Sequence, residues 1–424
     1  MNTIFALSSG QPPAAIGVLR ISGPQAGEAL RNLAGALPIP RHASFRTLRD
    51  VDGSVLDQAL VLWFPGPHTA TGEDLAELHL HGGRAVIAGV EKALARFSGL
   101  RRAEPGEFTR RAFANGRMDL AEAEGLADLL LAETELQRRA AVEMAGGLLS
   151  RQVIDWRDRV LTCSARVEAV LDFADEDDVA VLPPDFTADI QGITEEIGKA
   201  LDAPHAETLR EGFRVVLAGP PNAGKSTLFN ALVETEAAIT SPSAGTTRDV
   251  LIHPVALDGL PFCFIDTAGL REEGAEEIEA IGIARAQAEL EKADLVLWLG
   301  PEGEGPVGAW EIETQIDVSG HPCKAHPRHR VSGLTGEGVM GLKRDLVAVA
   351  RVAMPRPGQA ALNLRQRSLL GDAFTALGSA AAESDPLLLA EQLRLARLSF
   401  DRLIGRSATE DMLDALFGRF CIGK

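Results

Sequence analysis

Cysteine is sparse in this chain, and long apolar stretches are missing. The four cysteines (Cys163, Cys263, Cys323 and Cys421) are scattered, with no paired spacing for zinc and too few for a disulfide framework. No uncharged apolar run reaches the roughly 18 residues of a membrane span. The start, Met1-Asn2-Thr3-Ile4, lacks the basic opening and apolar stretch of a signal peptide. These absences lead us to expect a reducing compartment, the cytoplasm, and no membrane. Positive charge is also short: 42 Lys and Arg face 60 Asp and Glu, for a net charge of −18. Such acidity argues against non-specific coating of nucleic acid, because phosphate contacts need Lys and Arg, but it leaves room for a local basic patch. There is no internal repeat and no low-complexity tract.

What is present is a 424-residue chain, 46% hydrophobic and 24% charged. That composition excludes a disordered chain, a collagen or a small stapled scaffold. At roughly 100–200 residues per domain, the length allows about two to four domains. Residues 1 to 116 mix short strands with turns. Ile16 to Ile21 reads as a strand, Asp52-Gly53 as a hairpin turn, Leu75 to His81 as partly alternating, and Ala85 to Phe97 as helical. At Asp119-Leu120-Ala121-Glu122 a capping box opens Leu-, Ala- and Glu-rich helical sequence that runs to about Phe173, with Gly146-Gly147 as a kink. The acidic cluster Asp172 to Asp178 and Pro183-Pro184 break it, and more helix follows to about Leu209. Phe213 to Ala218 then opens alternating strands and helices to about Val352. Pro355 and Pro357 mark a linker, and Leu362 to Leu416 is helical again. The economical reading is a nucleotide-binding domain inserted between two parts of one helical domain.

Gly219-Pro220-Pro221-Asn222-Ala223-Gly224-Lys225-Ser226 satisfies the phosphate-loop pattern at every fixed position. It follows an apolar strand, and Thr227-Leu228-Phe229-Asn230 can start a helix. In such a turn the backbone amides point at phosphate and the helix N-terminus adds positive potential. Lys225 neutralises the β- and γ-phosphates, and the Ser226 hydroxyl ligates Mg²⁺. Asp266-Thr267-Ala268-Gly269 follows the apolar run Phe262 to Ile265: the Asp can hold Mg²⁺ through water, and Gly269 lets its amide approach the γ-phosphate. Gly245-Thr246-Thr247-Arg248-Asp249 lies upstream, where a Thr hydroxyl can complete the Mg²⁺ shell. Together these point to a segment ordered by triphosphate and released on hydrolysis.

Base choice rests on Thr314-Gln315-Ile316-Asp317, where Gln replaces the Lys of the guanine-reading Asn/Thr-Lys-x-Asp pattern, with Asp317 as the acceptor of ring N–H and amine protons. An ordinary loop acid is the bland reading of Asp317. A second base loop is read at Ser332-Gly333-Leu334, before Thr335-Gly336-Glu337-Gly338. The segment from Asp294 to Asp317 is short for a strand, a full helix and another strand. Leu270 follows the Asp-x-x-Gly motif and cannot orient water, so Arg271 or the acids from Glu272 to Glu279 must act. Asn222 suggests a monovalent cation beside the phosphates, in the place of an arginine finger.

Nearly end to end, the chain resembles the MnmE (TrmE) family of tRNA modification GTPases. The resemblance rests on Arg20-Ile21-Ser22-Gly23, Phe64-Pro65-Gly66-Pro67, Thr71-Gly72-Glu73-Asp74, His81-Gly82-Gly83, Pro105-Gly106-Glu107-Phe108-Thr109, the GTPase motifs, and Phe420-Cys421-Ile422-Gly423-Lys424. It implies a multidomain α/β protein with three parts. Residues 1–116 would be an α+β tetrahydrofolate-binding-like domain that forms a homodimer, 117–209 with 355–424 an α-helical domain, and 210–354 an inserted P-loop GTPase domain. The family, with the FAD-containing partner MnmG, adds an aminomethyl-type group (carboxymethylaminomethyl or aminomethyl) to carbon 5 of the wobble uridine, position 34, of certain tRNAs. Glycine or ammonium supplies the nitrogen, and a tetrahydrofolate, in 5-formyl or methylene form, the one-carbon unit.

By the same resemblance, folate contacts fall on Arg20, Glu77, Arg117 and Lys424, where family members often carry Lys in place of Arg117. A structural or solvated ion pair is the alternative for Arg20 and Glu77. Nucleotide contacts fall on Asn222, Ala223, Gly224, Lys225, Ser226 and Thr227, on Ser241, Thr246 and Thr247, and on Asp266 to Gly269. They also fall on Thr314, Asp317, Ser332, Gly333 and Leu334. Potassium would sit against Asn222, Ser241, Ser243 and Thr246, and Mg²⁺ against Ser226 and Thr247, while the acid that orients water falls on Glu279, with Glu277 open. Cys421 matches a cysteine the family needs; on its own chemistry it can equally be a small buried hydrophobe. Arg101, Arg102, Arg110, Arg111 and Arg117 form the densest basic stretch, either a tRNA-phosphate contact or a face balanced by Glu104 and Glu107. The competing functions are a ribosome-assembly switch with the same nucleotide site but no one-carbon chemistry, and an ATPase.

Overall fold

The computed structural model describes residues 2–172, 182–233, 252–266, 287–356, 358–407 and 409–423. Its contacts divide the chain into two compact units, Met1–Ala127 with Phe400–Lys424, and Asp128–Ser399.

In the first unit, β1 (Thr3–Leu7), β2 (Ile16–Ser22), β3 (Ser44–Arg49), β4 (Val55–Phe64), β5 (Leu75–His81) and β6 (Leu100–Arg102) form one sheet in the order β3-β4-β5-β2-β1-β6. Neighbours are antiparallel except β1 and β6. Alternation explains the layering: Leu19 and Ile21 of β2 and Leu78 and Leu80 of β5 are buried, and they meet Leu30 and Leu33 of α1 (Ala26–Ala34) and Val90 and Leu94 of α2 (Arg84–Leu94) in one core. The Asp52-Gly53 turn links β3 to β4 as expected, with Gly53 at φ 84°.

The helix α3 (Glu107–Ala114) precedes α4 (Leu120–Leu131), whose start carries the expected reciprocal cap: Glu122 N–H donates to Asp119 Oδ1 at 2.9 Å, and Asp119 N–H to Glu122 Oε2 at 2.8 Å. Leu120 and Ala123 pack with Leu413, Phe417 and Phe420 from the chain's end. A bridge between Pro105 and Ile422 joins two motifs far apart in sequence.

The helical stretch from Asp119 to about Phe173 consists of three helices, α4, α5 (Glu135–Ala145) and α6 (Leu148–Asp172), and Gly146-Gly147 is a break between two of them and not a kink. Gly147 adopts φ 79°, which ends a helix rather than bending it, and a Thr134/Gln137 capping box starts α5 afresh. Then come α7 (Phe186–Leu201) and α8 (Ala206–Glu211). The acidic run from 173 to 178 lies outside the described residues.

A second sheet follows, from β7 (Phe213–Ala218), β8 (Ile252–Leu257), β9 (Leu260–Asp266), β10 (Leu295–Trp298), β11 (Trp310–Glu313) and β12 (His329–Arg330), in the order β12-β11-β10-β7-β9-β8. All neighbours run parallel except β8 with β9. β9 is buried along its whole length, as a central strand covered on both faces must be. The connection from β10 to β11 carries turns and no helix, in line with the short Asp294–Asp317 spacing. After α9 (Lys225–Val233) within the sheet region come α10 (Val339–Ala353), α11 (Leu364–Ala382), α12 (Pro386–Leu403) and α13 (Glu410–Phe417), the last belonging to the first unit.

Candidate nucleotide-binding site

β7 is central in its sheet and ends at Ala218; its carboxyl end delivers the chain into the glycine-rich turn, and α9 begins at Lys225. Turn geometry explains the residue types. Gly224 sits at φ 84° and Asn222 at φ 62°, in the left-handed region that glycine adopts freely and asparagine tolerates. Lys225 is 6% exposed, and its ammonium donates to Gly219 O at 3.0 Å and Pro220 O at 2.7 Å. The side chain is thus curled over its own loop, with its charge where phosphate oxygens would meet it. Ser226 Oγ donates to Asp266 Oδ2 at 2.9 Å. Asp266 closes β9 and is 2% exposed, so two hard oxygen donors, one from the first turn of α9 and one from the end of β9, converge beside the loop.

Of the two base-loop candidates, one reaches this turn and the other the start of α9. Thr314 Oγ1 donates to Ala223 O at 2.7 Å, and Gln315 Nε2 to Asn222 O at 2.9 Å. Gln315 adopts φ 60°, and its Cγ lies 3.5 Å from where a Cβ on Gly224 would sit. Gln therefore does packing that needs no charge at this position. Asp317 is exposed in the turn that follows. On the other side Ser332 is fully buried and its Oγ accepts from Thr335 N–H at 3.0 Å. A Cβ on Gly333 would lie 2.8 Å from the Thr227 backbone, so only glycine lets this loop touch the start of α9, and Leu334 beyond it is 79% exposed. Ser241, Ser243, Thr246, Thr247, Thr267, Ala268, Gly269, Leu270, Arg271, Glu277, Glu279 and Lys424 lie outside the described residues.

In the first unit Arg20 and Glu77 face each other across β2 and β5. Arg20 Nη2 and Nε donate to Glu77 Oε1 at 2.8 and 3.1 Å, and the guanidinium lies 5.9 Å from the Phe108 ring. Arg117 is exposed beside Gly72.

Four arginines of the basic stretch, Arg101, Arg102, Arg110 and Arg111, pair with more acids than the sequence suggested. Arg101 pairs with Glu107 at 2.6 Å, Arg102 with Glu91 at 2.8 Å, and Arg110 with Glu410 and Asp414. Arg111, 9% exposed, reaches Glu73 at 2.9 Å and Glu107 at 3.0 Å, while Ser22 Oγ donates to Glu73 at 2.9 Å. Three motifs of the first unit are thereby one polar network, with a cavity of about 530 Å³ beside Arg101, Glu107 and Arg111. Burial raises the Glu107 carboxyl, but hydrogen bonds from Arg101, the Glu104 N–H and Arg111 outweigh it and leave the group below its ordinary value of 4.5.

Of the cysteines, Cys163 and Cys263 are buried, and burial pushes both thiols up, as suits inert packing groups. Cys421 is exposed, and its carbonyl accepts from Gly106 N–H at 3.5 Å. The sequence reading passed over one cluster, Glu313 with His321 and Cys323, because only one of its members is a cysteine.

Comparison with known proteins now decides the family. A family model described as GTP-binding protein TrmE N-terminus matches residues 3–117, and one described as MnmE helical domain matches residues 120–421. The chain belongs to the MnmE family of tRNA modification GTPases. It is 64% identical to the tRNA modification GTPase MnmE of Novosphingobium aromaticivorans, with 100% of both chains covered. Identity is 62% to the protein of that name from Erythrobacter litoralis and 49% to that from Zymomonas mobilis, again over 100% of each chain. Among the described residues no helix is long and apolar enough to cross a membrane. The MnmE-family blocks around Pro105 and Cys421 are joined by the isolated Pro105–Ile422 bridge.

Proposed function

We propose that this GTPase binds and hydrolyses GTP at the 219–226 loop and couples turnover to modification of carbon 5 of the wobble uridine, position 34, of certain tRNAs. The carrying observation is the meeting of phosphate loop and base loop, Thr314 Oγ1 on Ala223 O at 2.7 Å. In this reading Lys225 neutralises β- and γ-phosphate charge, and Asp317 accepts the guanine N–H protons. Ser226 and Asp266, already hydrogen-bonded to each other, suit the hard-oxygen shell of Mg²⁺, with Thr247 as a further ligand. The bound Mg²⁺ would supply charge neutralisation between the phosphates. Potassium would take Asn222, Ser241, Ser243 and Thr246, Glu279 would orient the attacking water, and Arg271 would add to the same loop. K⁺-dependent pairing of these domains in a homodimer would complete the site.

Residues 1–116 would bind a tetrahydrofolate derivative through Arg20, Glu77, Arg117 and Lys424. The Arg20–Glu77 pair fits such a ligand by offering a guanidinium for carboxylates and a carboxylate for pterin N–H groups on one strand pair. Residues 117–209 with 355–424 would carry the inserted 210–354 domain, Cys421 would act near the folate, and the FAD-containing MnmG would be the partner. Mass spectrometry of wobble uridines in cytoplasmic tRNA from cells lacking this chain tests the proposal. Loss of the carbon-5 group is expected, and unchanged wobble uridines would refute it.

A further inference from the structure

Glu313, His321 and Cys323 bracket the turn that carries Asp317. Glu313 ends β11 and is 3% exposed, while His321 and Cys323 follow the turn. His321 Nε2 lies 2.9 Å from Glu313 Oε1 and 3.7 Å from Cys323 Sγ, and the three donor atoms all fall within 4.8 Å of one another. Around a tetrahedral zinc ion with bonds of about 2.0–2.3 Å, ligand atoms stand about 3.3–3.8 Å apart. The cluster needs to adjust by only a few tenths of an ångström at its closest pair.

The surrounding hydrogen bonds hold each donor in place. Glu313 Oε2 accepts from Lys324 N–H at 3.2 Å and pairs with Arg330 Nε at 3.2 Å, so Oε1 is the atom left facing the imidazole. His321 Nδ1 is 3.0 Å from Val318 O. A carbonyl can only accept, so Nδ1 carries the hydrogen, and the Nε2 of a neutral ring is a bare lone pair. That lone pair points at a carboxylate oxygen, which is repulsive unless a proton or a metal cation lies between them. A proton satisfies the nitrogen and the carboxylate, and the Cys323 thiol donates to His321 O at 3.7 Å; a metal cation would take the place of that proton and draw the sulfur beside the same nitrogen into the set. A thiolate, an imidazole and a carboxylate together are a donor set for zinc.

We propose that Glu313 Oε1, His321 Nε2 and Cys323 Sγ bind one zinc(II) ion, with the fourth position open to solvent on the exposed Cys323 side. Binding converts the Cys323 thiol to thiolate and releases its proton to water, leaving two negative ligands against the dication. Because the ligands sit at both ends of the Thr314–Val318 turn, the ion ties that turn to β11 and the segment leading to β12.

The test uses the full chain, stripped of metal and free of nucleotide, titrated with Co²⁺ and then with Zn²⁺. We expect one equivalent of Co²⁺ with a thiolate charge-transfer band that Zn²⁺ abolishes. Cys323→Ser should remove the band, His321→Ala should weaken binding about tenfold or more, and Cys421→Ser should leave both unchanged. Thermal melts of each variant establish that it is folded. No stoichiometric binding, or a band that survives Cys323→Ser, overturns the site and leaves a proton-bridged His321–Glu313 pair.

Discussion

Replacing Lys225 with alanine is the most direct challenge to the nucleotide site. The Lys225 ammonium donates to two neutral carbonyls, Gly219 O and Pro220 O. Binding triphosphate exchanges those partners for charged phosphate oxygens about as close. Two unit charges about 4 Å apart interact by about 4 kcal/mol at an effective dielectric constant of about 20, and the 6% exposure of Lys225 puts it nearer that regime than bulk water. At about 1.4 kcal/mol per decade, Lys225→Ala should lower kcat/KM for GTP by about 10³-fold. Phosphate release measures hydrolysis, and fluorescent GDP titration measures binding. The binding loss should be smaller if part of the interaction belongs to γ-phosphate charge developing in the transition state. Thermal unfolding of the variant is the control for folding. Turnover within twofold of the unsubstituted protein would refute the reasoning.

Asp317→Ala should weaken GTP binding by about 10- to 100-fold, the loss of charge-assisted hydrogen bonds, while leaving ATP binding unchanged; equal GTP and ATP turnover by the unsubstituted protein would remove guanine specificity. Gly106 has φ 70°, and a Cβ there would overlap the Phe417 carbonyl oxygen, so Gly106→Ala should cost at least about 2 kcal/mol, read as a lower urea midpoint. Glu107 has its carboxyl held below 4.5 in the folded protein, so its ion pairs stabilise above that pH and the contribution is lost as pH falls through the folded value. The stability gap between the unsubstituted protein and Glu107→Gln should therefore close on acidification, and a gap that stays constant from neutral to acid pH would contradict the assignment.

Local signals were the most legible. The 219–226 turn, the Asp119/Glu122 cap, the hairpin at Gly53 and the strand Phe213–Ala218 each depend on residues within one element, and the structure has all of them. The missing helix between β10 and β11 was legible from length alone, since too few residues separate the two strands. The three-way division of the helical stretch was less legible. Gly147 could bend or end a helix, and the choice depends on what α5 packs against: Leu136 N–H donates to Gly259 O and Gln137 Nε2 to Leu209 O. The fate of the arginines was hidden for a related reason. Arg110 finds Glu410 and Asp414, which lie hundreds of positions away.

The sequence alone determined the chemistry of the phosphate turn, because glycine torsions, a lysine charge and a hydroxyl act at fixed short spacing whatever surrounds them. Its end-to-end pattern also identified the family. Only tertiary structure decided which distant groups share a neighbourhood: Gln315 on the phosphate loop, Ile422 on Pro105, Arg111 between Glu73 and Glu107, and Cys323 beside His321 and Glu313. Electrostatic and coordination energies fall off over a few ångströms, and that distance is set by how strands and loops close upon each other, not by position along the chain.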